Sequence, residues 1–68
     1  MEKIIKKLKK INPNIEVNSI TFSYFKGFKY EFSAIVKYFK NNYFCSISFS
    51  NDSFKDLCVD IYTYFSNE

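Results

Sequence analysis

Apolar residues change their spacing twice along this chain. In "EKIIKKLKKI" they recur every three or four residues, from Ile20 to Phe49 mostly every second residue, and after Asn51 every three or four again. The longer period puts residues on one face of a helix and the period of two puts them on one face of a strand. The order helix, sheet, helix follows directly.

In the first segment Met1, Ile4, Ile5, Leu8 and Ile11 form the apolar stripe, and Lys3, Lys6, Lys7, Lys9 and Lys10 occupy the rest of the circumference. Glu2 suits the positive end of the helix dipole and the late lysines its negative end, while Asn12 and Pro13 stop the helix. Ile20, Phe22 and Tyr24 then alternate with Ser and Thr, as do Phe28, Tyr30, Phe32, Ala34, Val36 and Tyr38 with mostly polar neighbours, and Tyr43, Cys45, Ile47 and Phe49 after them. Three strands are predicted. Ile15 and Val17 have the opposite parity to Ile20, which predicts a bulge or kink near Asn18 and Ser19.

Turn lengths can be tested against face parity, because slipping the register by one residue turns every side chain to the wrong side. A two-residue Asn41–Asn42 turn sets Tyr38 against Cys45, Val36 against Ile47 and Ala34 against Phe49, so the apolar faces match. For the first hairpin a two-residue turn fails, whereas a three-residue loop of Phe25, Lys26 and Gly27 sets Tyr24 against Phe28, Phe22 against Tyr30 and Ile20 against Phe32. In the last segment Phe54, Leu57, Cys58, Ile61 and Phe65 share a helical stripe, and Ser53 with Asp56 resembles a capping box. The expected fold is α+β, in the order α-β-β-β-α. It is a three-stranded antiparallel meander with both helices packed on one face, read as a single domain over residues 1–68.

With 68 residues such a domain has one small core, and nine Phe and six Tyr must fill it densely. The composition also excludes chemistry. There is no His, hence no usual general base and none of the commonest metal ligand. A single Gly allows no phosphate-cradling loop. Glu16, Glu31, Asp52, Asp56 and Asp60 read as surface or capping groups and not as a converging catalytic pair. The expectation is a protein that is not an enzyme and uses no cofactor or metal. Cys45 and Cys58 read as free thiols in a reducing cytoplasm, since small disulfide-dependent domains carry more cysteines. No apolar run reaches the length of a membrane span, and the Lys-rich start lacks a signal peptide's apolar run, so neither span nor export is expected.

Three partner readings remain open. On the sheet face away from the helices, Phe39 and Phe44 fall opposite each other with Ile35 one step along. They form either an ordinary cross-strand pair or a protein contact, alongside the acidic second helix with Asp52, Asp56 and Asp60. Residues 1–10 hold five lysines against Glu2, a balance of +4, while the remainder of the chain is slightly acidic. Lys3, Lys6, Lys7, Lys9 and Lys10 are therefore either a solvated helix face or a nucleic-acid contact. The open sheet edges offer a third route, pairing with a second copy in a homodimer.

The helix, three strands and helix resemble a double-stranded RNA-binding domain across the whole chain. That family contacts RNA through the first helix, the loop between the first two strands and a lysine cluster opening the second helix. Here the loop is Phe25, Lys26 and Gly27, and the second helix opens with Asn51, Asp52, Ser53, Phe54, Lys55 and Asp56, so only the first helix carries matching charge. The stretch "FSAIVKYFKNNYFCSISFSNDSFKDLCVDIYTYF" also resembles the second hairpin and following helix of small phage-encoded anti-CRISPR proteins. This resemblance implies a stand-alone, non-catalytic inhibitor that occupies a surface of a larger effector protein.

Overall fold

The computed structural model of the protein describes residues 2–68, so the predicted role of Met1 in the helical stripe lies outside the described residues. Helix α1 spans Glu2–Ile11, strands β1, β2 and β3 span Ile15–Tyr24, Phe32–Lys40 and Tyr43–Asn51, and helix α2 spans Phe54–Ser66. The strands form an antiparallel sheet in the order β1-β2-β3, which gives the α-β-β-β-α arrangement expected from the spacing.

The core lies on one face of that sheet. Ile15, Ile20, Ala34, Val36 and Tyr38 point into it from the strands, and Leu8, Leu57, Ile61 and Phe65 meet them from the helices. Both helices therefore cover the same face. Aromatic packing is specific here: the Tyr38 and Phe65 rings lie 5.0 Å apart and nearly perpendicular, the edge-to-face arrangement that ring quadrupoles favour.

The bulge falls where parity requires it. Val17 pairs with Tyr38 and Ser19 with Lys37, leaving Asn18 as the extra residue. This lets Ile15 and Ile20 both reach the core although their positions have opposite parity. In the second hairpin Asn41 and Asn42 take φ of 53° and 67°, the left-handed pair of a two-residue turn, and Tyr38, Val36 and Ala34 pair with Cys45, Ile47 and Phe49 as expected.

The first hairpin differs from expectation. Tyr24 pairs with Phe32, Phe22 with Ala34 and Ile20 with Val36, so the connection runs from Phe25 to Glu31, and Phe28 and Tyr30 leave the strand. The register has moved by four residues, which preserves every face. The shorter loop would stagger β1 against β3. The observed one places them flush, so β2 has a neighbour on both sides along its whole length, from Phe32 to Lys40. Gly27, at φ 86°, takes the left-handed position expected of it.

At α2, Ser53 is the N-cap and its hydroxyl accepts from the Asp56 amide at 3.4 Å. The reciprocal half of a capping box is supplied differently, since the Ser53 amide donates to Asn51 Oδ1 at 3.2 Å. Two members of the predicted stripe sit at its margin. Phe54 is 45% exposed and meets the Phe22 ring at 5.2 Å, while Cys58 is half-buried.

Candidate functional site

Because both helices cover one face of the sheet, the other is left to solvent. Its centre holds Ile35 and Lys37 from β2 and the Ser46, Ser48 and Ser50 side chains from β3. At the turn end, Phe39 and Phe44 straddle Asn41–Asn42 as directly opposed residues, with ring centroids 5.1 Å apart. This closeness follows from their place in the ladder, where a pair that exchanges no hydrogen bonds brings its side chains together. Ile35, Phe39 and Phe44 remain 41%, 39% and 55% exposed.

A second aromatic group stands at the far end of this face. In the loop from Phe25 to Glu31, the Phe25 amide donates to the Glu31 carbonyl at 2.7 Å, closing the loop base. Phe25 and Phe28 meet edge to face at 5.9 Å, and Phe28 is 69% exposed. Phe25, Phe28, Lys29 and Tyr30, with Ser33 of β2 and Ser50 of β3, line a groove of about 450 Å³. Lys29 Nζ lies 5.4 Å from the centroid of the Tyr30 ring. The Tyr24 hydroxyl donates to the Glu31 carboxylate at 2.9 Å, a bond that raises the Tyr24 pKa and keeps Glu31 occupied beside the groove. Sequence reasoning missed this groove because "FKYEF" continues the strand alternation. The local signal against it was the Lys26–Gly27 pair just ahead of Phe28.

The acidic residues lie elsewhere. Asp56 and Asp60 are on α2, across the sheet from Ile35, Phe39 and Phe44, and Asp52 precedes the helix. Asp60 accepts a hydrogen bond from Asn51 Nδ2 at 2.9 Å, so part of its capacity is used within the fold. The structure therefore divides the candidate protein-binding residues into two separate surfaces. The lysines divide as well. Lys3, Lys6, Lys7 and Lys10 follow one stripe of α1 around a depression of about 420 Å³, whereas Lys9 faces Pro13, Glu16, Phe39 and the Asn41–Asn42 turn. Lys7 Nζ sits 4.4 Å from the Tyr62 ring centroid, a cation–π contact that ties the lysine stripe to α2.

Cys45 and Cys58 are both free and half-buried, and burial raises the Cys58 thiol pKa, which disfavours its thiolate. Among the described residues no three His, Cys, Asp or Glu side chains gather closely enough to hold a metal ion, and no helix is long and apolar enough to cross a membrane. No protein-family model, curated protein or solved structure matches the chain.

Proposed function

We propose that this protein is a non-enzymatic binding module that occupies a surface of a larger effector protein in the cytoplasm, in the manner of the small phage-encoded inhibitors its layout resembles. One observation carries the reading: a sheet face, left uncovered by both helices, bears Ile35 near its centre, the Phe39–Phe44 pair at one end and the Phe25–Phe28–Tyr30 groove at the other. Aromatic anchors on a preorganised surface lose little conformational entropy on binding and supply most of an interface's energy. The serines between them accept or donate hydrogen bonds without burying a charge.

The test is affinity capture of a cellular protein by the tagged chain, followed by a direct binding measurement on the purified pair. F39A/F44A is expected to weaken that binding about tenfold or more while the circular dichroism stays that of the folded chain. Affinity unchanged by this double substitution would remove the open face as the site.

A second reading has its own observation. Four of the five N-terminal lysines share one stripe of α1 around a common depression, and such a stripe suits the phosphates of a nucleic acid. It predicts binding that K6E/K10E weakens, with a shallower salt dependence, and F39A/F44A leaves intact.

A further inference from the structure

The two edges of the sheet are not alike. β1 is interrupted by its bulge at Asn18 and carries Glu16, devices that discourage a further strand from pairing. β3, "YFCSISFSN", has nine residues with no charge, proline or glycine, and its register with β2 runs unbroken from Tyr43 to Asn51. Nothing in its sequence protects it from pairing.

Its outward-facing backbone groups can be assigned from the turn. In a two-residue turn with both φ positive, the flanking residues Lys40 and Tyr43 form the hydrogen-bonded pair. Alternation then directs the amides of Tyr43, Cys45, Ile47, Phe49 and Asn51 toward β2. Phe44, Ser46, Ser48 and Ser50 each turn an N–H and a C=O outward. A symmetric antiparallel partner must set these residues opposite one another. A two-fold axis at Ser46 or Ser48 leaves one end of the row unpaired, while an axis at Ile47 uses all four, with Phe44 opposite Ser50 and Ser46 opposite Ser48.

That register has a consequence for side chains. Phe44 is the exposed aromatic that β3 presents on the open face, and Ser50 is the β3 residue that lines the aromatic groove. Within one chain they are six residues apart, about 20 Å along a strand, so Phe44 cannot reach its own groove. Across the two-fold axis they become direct neighbours. We propose that two copies of this chain pair antiparallel through β3 about an axis at Ile47, forming a continuous six-stranded sheet. The Phe44 ring of each copy closes the groove beside Ser50 of the partner subunit. Odd-numbered β3 residues stay on the core side and even-numbered ones on the open side, so both faces continue across the joint.

Sedimentation equilibrium of the full chain from about 10 μM to about 1 mM tests this by mass action. The mass is expected to rise from 8.2 kDa toward twice that value. S46K/S48K and S46E/S48E each set like charges opposite one another at exposed positions, and each is expected to stay monomeric. Mixing the two in equal amounts should restore the dimer, because every opposed pair then becomes Lys against Glu. F44A, which leaves the strand backbone unchanged, should weaken dimerisation about tenfold. A wild-type chain that is monomeric at the highest concentration would overturn the proposal, as would a dimer indifferent to S46K/S48K or a mixture that stays monomeric. Dimerisation is read from the mass of the isolated protein and effector binding from capture. F39A, on β2 and outside the β3 joint, should weaken effector capture and leave the dimer mass unchanged, so either reading can fail alone.

Discussion

Asn12 holds together the ends of two helices. Its amide N–H donates to the Leu8 carbonyl at 2.8 Å, its side-chain Nδ2 donates to the Phe65 carbonyl at 3.1 Å, and its Oδ1 accepts from the Asn14 amide at 3.1 Å. It is the one polar side chain buried among the described residues, and it satisfies a carbonyl near the end of α2 that would otherwise lack a partner. Asn12→Ala is expected to lose about 1–3 kcal/mol of stability in urea denaturation, because the Phe65 carbonyl keeps its burial and loses its donor. Asn12→Asp should lose more, since an ionised carboxylate would face that carbonyl. Tyr38 predicts a pH dependence. Burial, and secondarily the Tyr64 hydroxyl, raise its pKa well above the ordinary 10.0. The folded state thus keeps a proton that the unfolded chain releases. Its contribution is complete below about pH 10 and is lost as pH rises beyond that, by up to about 1.4 kcal/mol per pH unit for one proton. Tyr24, Tyr62 and Cys58 are raised too and act in the same direction. Urea midpoints between pH 8 and pH 11 should fall for the wild type and fall less for Tyr38→Phe; equal slopes would contradict the assignment to Tyr38.

At the scale of elements, β1 makes the sharpest prediction. Removing one residue from a strand ordinarily sends half its side chains to the wrong face. Asn18 is the bulged residue between Val17 and Ser19, so its deletion leaves Ile15, Val17, Ile20 and Phe22 on the core face of a regular strand. The deletion is expected to fold with stability within about 1 kcal/mol of wild type. Deleting Thr21 instead must expose Ile20 or Phe22, at about 2–5 kcal/mol. Thermal melts of the two shortened chains would separate these outcomes, and equal losses would mean that Asn18 is not the extra residue. The bulge was legible because the parity of Ile15 and Val17 conflicts with that of Ile20. The second hairpin was legible because Asn41–Asn42 leaves one register in which the apolar faces agree. The first was not, since a shift of four residues preserves parity and "FKYEF" alternates as a strand does. What decides it is the flush alignment of β1 and β3 along β2, a relation among three strands that no local window contains. The groove made by Phe25, Phe28 and Tyr30 was hidden for the same reason, whereas the opposition of Phe39 and Phe44 followed from the turn beside them.

The whole molecule is two-sided. One side carries the lysine stripe of α1, joined to α2 through Lys7 and Tyr62. The other is the open sheet face, with aromatics at its ends, serines between them and Lys37 near its centre. Any affinity for nucleic acid must therefore come from one side or the other, and salt separates the two. Phosphate contacts release counterions, each contributing about −0.7 to the slope of log K against log salt on a single strand. Four lysines acting together bound that slope near −3 by the same rule. Base stacking on Phe39 and Phe44 would instead contribute affinity that changes little with salt, about 1–3 kcal/mol per base. Anisotropy of labelled single- and double-stranded RNA and DNA across a salt series should show only weak binding that disappears near physiological salt. K6E/K10E should reduce its slope by about 1.4, two phosphates' worth, and F39A/F44A should leave it unchanged. The opposite pattern, a shallow slope lost with the two phenylalanines, would make the open face a platform for single-stranded nucleic acid. The aromatic ends and the serines between them would then stack and hydrogen-bond bases, and the effector-binding reading of that face would fall.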